Sequence, residues 1–171
     1  MGGDLCGTVL SYGPSVPESQ KSRLPIGSRV FGLVHVSEQN AAHDRGTLAT
    51  HATVEAIRLA PVPESVDDTH AAGLALVGMT AYTMIVESGF KKGDRVLVLG
   101  GSTSVGLLLL QMLKHDGAEL IVTTASGEKI KPVQERGADV VLDCESTSFL
   151  LMIARVPDTG SLCRSRGGRR Q

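Results

Sequence analysis

The chain has 171 residues, 42% of them hydrophobic and 20% charged, with a formal net charge of -1. That apolar content is enough for a packed core and excludes wholesale disorder. The near-neutral charge gives no electrostatic basis for binding nucleic acid or an anionic membrane, and with no tryptophan and 3% aromatic residues there is no stacking platform for single strands.

In chain order, residues 4–60 read as short strands divided by turns. Thr8-Val9-Leu10, residues 29–34 and residues 47–54 are rich in β-formers. Gly13-Pro14, Pro25-Ile26-Gly27 and a polar stretch at residues 37–45, with residues 38–44 read as a surface loop, separate them. The character changes at Pro61-Val62-Pro63. Ser65-Val66-Asp67-Asp68 offers a helix start with acids in the first turn, and residues 71–86 predict an apolar helix buried on several faces and ended at Gly89. No uninterrupted apolar run reaches the roughly 18 residues of a membrane span; residues 71–79 and 105–113 come nearest.

From Arg95 the pattern is β–α–β–α–β. Val96-Leu97-Val98-Leu99 is continuous and apolar, as in a parallel strand buried on both faces. A loop of small residues follows, then a helix over 107–114, a strand at Leu120-Ile121-Val122, a helix over 128–136 with Pro132 in its first turn, and a strand at Val140-Val141-Leu142. Residues 146–154 suit a further helix. Residues 155–171 carry five arginines against one acid and read as a disordered tail.

The three cysteines, Cys6, Cys144 and Cys163, are odd in number and form no CxxC pair, so neither a disulfide framework nor a zinc knuckle is expected. The five histidines show no metal-ligand spacing. The N-terminal residues lack the basic start and apolar stretch of a secretory signal, which makes a reducing, cytoplasmic setting the expectation.

The strongest chemical signal is Gly100-Gly101-Ser102-Thr103-Ser104-Val105-Gly106, between the strand at 96–99 and its helix. Small residues there let backbone approach a pyrophosphate, and the helix start adds unpaired N–H groups and partial positive charge. Against G-x-G-x-x-G, the frame from Gly101 has Thr103 in place of the middle glycine and ends on Gly106. The hydroxyls of Ser102, Thr103 and Ser104 offer hydrogen bonds in compensation, and a tight strand–helix turn without a ligand is the competing reading. After the next strand, Thr123-Thr124-Ala125-Ser126-Gly127-Glu128-Lys129 places hydroxyls, not an acid, at the strand tip, with Lys129 and Lys131 behind. An acid there would bind ribose hydroxyls; hydroxyls and lysines fit a 2′-phosphate and favour NADPH.

Four blocks in order resemble the medium-chain dehydrogenase/reductase superfamily, in its zinc-free quinone oxidoreductase, or zeta-crystallin-like, branch. Gly2-Gly3-Asp4-Leu5-Cys6-Gly7-Thr8-Val9 looks like its G-x-D-x-x-G-x-V strand. Ile26-Gly27-Ser28-Arg29-Val30-Phe31-Gly32 looks like V-G-D-R-V-F-G, with Ser28 for Asp. Ala71-Ala72-Gly73 and Gly78-Met79-Thr80-Ala81-Tyr82 look like its A-A…G-L-T-A-Y helix. Gly93-Asp94-Arg95-Val96-Leu97-Val98 with Ser104-Val105-Gly106 looks like its G-D-x-V-L-V…G-V-G entry. The match spans about residues 2–145.

The resemblance implies an α/β chain: part of a GroES-like β domain over residues 1–62, a connecting helix region over 63–90, a partial Rossmann nucleotide-binding domain (parallel sheet, βαβαβ) over 91–150, and the basic tail over 151–171. It implies hydride transfer from NADPH to a small-molecule quinone, enone or carbonyl acceptor, with Gly101 to Gly106 cradling pyrophosphate, Ser126 and Lys129 holding the 2′-phosphate, and Thr80 near the nicotinamide. Asp4 is expected to tie down its strand, and no residue is assigned a catalytic role. Where zinc-binding relatives carry His and Glu, this chain has Gly3 and Asp4, and the four-cysteine lobe is missing, so no zinc is expected. Thr103-Ser104 replace the branch's usual G-G, and Cys144 its tyrosine. The family has strands before G-x-D and three more Rossmann strands after Leu142, so the chain is expected to be truncated at both ends; relatives with those strands form homodimers. A non-catalytic nucleotide-binding or interaction fragment is the alternative. Another Rossmann enzyme is disfavoured by the block order and, for the short-chain class, by the missing Y-x-x-x-K.

Overall fold

The computed structural model describes residues 2–34 and 46–145. The loop expected at 38–44, His35, His43, the helix expected at 146–154 and the basic tail lie outside the described residues. The chain divides into two compact units, Met1–Met79 and Thr80–Gln171.

The first unit is built on a three-stranded antiparallel sheet. Strand β1 (Asp4–Thr8) pairs with β2 (Arg29–Leu33) from Asp4↔Leu33 to Thr8↔Arg29. A short helix α1 (Glu18–Arg23) lies between them, and Leu24 just after it is 2% exposed; its carbonyl accepts the Tyr12 hydroxyl at 2.8 Å. The other edge of β2 is taken by β3 (Leu59–Pro61), in register Val30↔Pro61 to Gly32↔Leu59. Residues 47–54, expected as a strand, form bends over 47–51 and irregular chain over 52–54. Thr47 Oγ1 donates to the Asp4 carbonyl at 2.7 Å, and Ala49 N donates to the Thr47 carbonyl at 2.9 Å.

Helix α2 (Asp68–Ser88) begins where the acids suggested. Asp67 Oδ1 accepts from the N–H groups of Thr69 and His70, each at 3.0 Å, which caps two otherwise orphaned donors. Burial on several faces is not observed. Ala71 and Ala75 are buried in the first unit and Ala81 and Ile85 in the second, each pair one turn apart, while Leu76, Met79, Tyr82, Met84 and Val86 are exposed. The helix is 21 residues long at a mean hydropathy of 1.3, long and apolar enough to cross a membrane, alone in this among the described residues. Counting uninterrupted apolar runs missed it, because glycine and threonine break a run without lowering the average much.

The second unit carries a parallel sheet in the order β4-β5-β6: β4 (Arg95–Val98), β5 (Leu120–Ala125) and β6 (Val140–Asp143). Helix α3 (Ser104–His115) connects the first two, and a 3₁₀ turn (Gly127–Lys129) running into α4 (Ile130–Glu135) connects the next two. The helix expected over 128–136 is thus shorter and tighter at its start. Gly106, Leu109, Leu110 and Leu113 form the buried stripe of α3 at i, i+3, i+4, i+7. The three leucines meet Val98, Ile121, Ala125, Val133 and Ala138 in one cluster. Burial on both faces, expected of residues 96–99, belongs instead to β5. The central strand is buried from Ile121 to Ala125, whereas β4 is buried only at Val98 and Leu99 is 58% exposed. A strand's burial follows its place in the sheet, and among the described strands of this parallel sheet only β5 has neighbours on both sides.

Candidate functional site

The glycine turn stands at the C-terminal end of β4. Gly100 adopts φ +76°, which a side chain would disfavour, and lets the chain reverse towards α3. Thr103 then caps the helix. Its hydroxyl accepts from Gly106 N–H at 3.0 Å and donates to the Gly100 carbonyl at 2.9 Å. The Thr103 hydroxyl thus clips Gly100 to Gly106. Two glycines allow the close packing. A Cβ on Gly106 would overlap the Gly100 carbonyl oxygen and stand 2.8 Å from Gly101 Cα, and one on Gly101 would overlap the Thr123 hydroxyl.

With Gly106 N–H capped, Ser104 and Val105 hold the first-turn N–H groups that have no acceptor within the helix. The first turn of α3 carries no acid, and its last turn carries Lys114 and His115, so the helix field favours an anion at the turn. Ser102 and Val105 are half-buried, and Thr103 and Ser104 are exposed.

The turn is tied to β5 by two threonines, the only buried polar side chains among the described residues. Thr123 Oγ1 donates to the Val98 carbonyl at 2.7 Å. Thr124 Oγ1 accepts from Gly100 N–H at 2.8 Å, and its carbonyl accepts from Gly101 N–H at 3.2 Å. The sequence shows these hydroxyls at a strand tip; their partners on the neighbouring strand are visible only once the parallel register Val98↔Thr123 is known.

Because β4 and β5 run parallel, the residues after β5 open at the same sheet edge as the glycine turn. Ser126 starts the 3₁₀ turn without a side-chain capping bond, and its carbonyl accepts from Lys129 N–H at 3.1 Å. Lys129 is exposed and forms no ion pair among the described residues, unlike Lys131, which faces Glu135 at 3.9 Å. Glu128 lies exposed in the same turn. Cys144 N–H donates to the Ala125 carbonyl at 3.2 Å, which brings the exposed Cys144 to the end of β5 as well. Thr80 is exposed on α2.

In the first unit, Asp4 Oδ1 accepts from Leu76 N–H at 2.9 Å and so ties β1 to α2. Arg29 holds Asp68 through Nε at 2.9 Å and Nη2 at 2.6 Å. That pairing draws the Asp68 carboxyl below its ordinary range. The Cys6 thiol lies 3.5 Å from Asp68 Oδ1, and burial, reinforced by that carboxylate, pushes its pKa up.

No family model matches the chain. It is 34% identical over 149 residues to a tomato (Solanum lycopersicum) 2-methylene-furan-3-one reductase, covering 86% of this chain and 37% of that protein. It is 36% identical over 143 residues to a chloroplastic NADPH-dependent alkenal/one oxidoreductase of Arabidopsis thaliana, covering 83% and 36%. A mycobacterial structure solved in complex with NADPH superposes with a TM-score of 0.68 at 35% identity, covering 83% of this chain and 40% of that one. The chain spans well under half the length of each. The antiparallel sheet followed by a parallel βαβαβ unit, and this set of relatives, make the chain a member of the medium-chain dehydrogenase/reductase superfamily.

Proposed function

We propose that the chain forms the dinucleotide-binding part of a zinc-independent, NADPH-dependent reductase acting on a quinone, an enone or another activated C=C or C=O bond. The observation that carries this reading is the glycine turn: an α3 N-terminus with no acid in its first turn, glycines packed too closely for side chains, and a parallel strand alongside. Relatives named as NADPH-dependent or solved with NADPH support the same cofactor.

When bound, NADPH supplies the hydride; the chain's own residues bind and orient it. The N–H groups of Ser104 and Val105 face the pyrophosphate, and Gly101, Ser102, Thr103 and Gly106 form the turn that lets it approach. The hydroxyl of Ser126 and the ammonium of Lys129 hold the 2′-phosphate, a charge-assisted contact that NADH lacks. Thr80 orients the nicotinamide. No residue is assigned to proton transfer. A small-molecule acceptor, a homodimeric assembly and a reducing compartment, which suits the free thiols Cys6 and Cys144, complete the proposal.

Titration of the purified chain with NADPH and NADH, followed by nicotinamide fluorescence, tests binding. Loss of nicotinamide absorbance with a naphthoquinone or an α,β-unsaturated ketone tests turnover. Binding with turnover is the expected result. Binding without turnover leaves a non-catalytic nucleotide module, and absence of NADPH binding overturns the proposal.

A further inference from the structure

We propose that Thr124, which lies on β5 and outside the glycine turn, is a positioning residue that sets the turn's affinity for the dinucleotide pyrophosphate; the inference rests on the NADPH-binding reading above. Thr124 is 8% exposed, and it supplies acceptors to two successive turn amides: Oγ1 to Gly100 N–H at 2.8 Å and the carbonyl to Gly101 N–H at 3.2 Å. Gly100 sits in the left-handed region at φ +76°, and anchoring its N–H fixes the orientation of the peptide at which the chain reverses. The Gly100 carbonyl at that reversal in turn receives the Thr103 hydroxyl at 2.9 Å, and Thr103 caps Gly106 N–H at 3.0 Å.

A chain of bonds therefore runs from β5 to the start of α3: Thr124 to Gly100, Gly100 to Thr103, Thr103 to Gly106. Its last member decides which first-turn amides remain for an anion. Valine at position 124 has nearly the shape of threonine but no side-chain acceptor, so it deprives the half-buried Gly100 N–H of its partner. Serine retains the acceptor.

The test compares Thr124→Val and Thr124→Ser with the wild-type chain by NADPH titration, thermal unfolding and phosphorus NMR of the bound cofactor. Thr124→Val is expected to weaken NADPH binding by about five- to tenfold, the size of one lost hydrogen bond. The pyrophosphate resonances should shift while the 2′-phosphate resonance stays, and Thr124→Ser should restore both affinity and spectrum. A purely structural role would lower the unfolding midpoint without separating the two kinds of phosphate. Wild-type affinity in a folded Thr124→Val chain overturns the inference and leaves the NADPH reading standing. So does weakened binding in Thr124→Ser at an unchanged midpoint, which decides the matter even where the valine variant does not fold. Failure of the wild-type chain to bind NADPH overturns the reading itself.

Discussion

Gly106 approaches Gly100 so closely that a methyl group on its α carbon would overlap the Gly100 carbonyl oxygen. The obstacle is backbone on both sides, with Gly101 Cα 2.8 Å away, so no side chain can rotate to make room. Gly106→Ala is expected to destabilise the second unit by about 1–3 kcal/mol, the usual cost of overpacking, and to abolish NADPH binding. Urea unfolding of the variant at neutral pH checks the first effect. An unchanged midpoint would mean that α3 can move away from β4 at no cost.

Lys129→Ala should weaken NADPH about tenfold and leave NADH nearly unaffected, since the lost contact is a charge-assisted bond to a group that only NADPH carries. Equal losses for both cofactors would remove Lys129 from the 2′-phosphate site. A preference for NADH in the wild-type chain would point to Glu128 as the ribose-binding group.

Asp139 joins α3 to β5: Lys114 Nζ donates to Oδ1 at 2.7 Å and Ile121 N–H to Oδ2 at 2.8 Å. Burial alone would raise its pKa, but these two donors outweigh burial and hold it below the ordinary 3.8. Its contribution is therefore complete above pH 3.8 and is lost as the pH falls from there through the lower native value. Asp139→Asn should be less stable than wild type at neutral pH, and the two stability curves should converge on acidification. Parallel curves from neutral pH to the acid limb would show that the carboxylate charge contributes nothing.

Cys144 and Cys6 should differ in reactivity. Cys144 is exposed at the end of β6, whereas burial and the nearby Asp68 carboxylate raise the Cys6 pKa and reduce its thiolate fraction. Iodoacetamide followed by peptide mass spectrometry should label Cys144 first. Because Cys144 adjoins the end of β5, NADPH should slow its labelling and leave Cys6 unchanged. Equal protection of both thiols would indicate a general tightening of the chain, not occupancy beside Ser126.

Much of the second unit was legible because its signals are local. The leucine spacing of α3 is a helix period, the small residues at 100–106 are a turn, and the strands alternate with helices at the lengths a parallel sheet requires. What the sequence hid depends on partners far along the chain. Leu59-Ala60-Pro61 is too short and too proline-bound to read as a strand, yet it pairs with β2, while the more β-prone residues 47–54 pair with no strand among the described residues. The apolar run at 96–99 looked doubly buried because hydrophobicity was read without sheet order. Helix α2 shows the same limit: composition reports how apolar a helix is, not how much of it finds a neighbour. At the candidate site, Gly101 and Gly106 could be marked from sequence. The clip made by Thr103 and the anchor made by Thr124 could not, since a hydroxyl does not announce its partner.

The Thr103 hydroxyl commits its donor to the Gly100 carbonyl and accepts from Gly106 N–H, both within the chain. The turn is thus held shut by internal bonds, and a dinucleotide arriving there meets a finished receptor and need not order a floppy loop. Little conformational entropy is then charged to binding, and association should follow a single rapid phase whose rate scales with cofactor concentration.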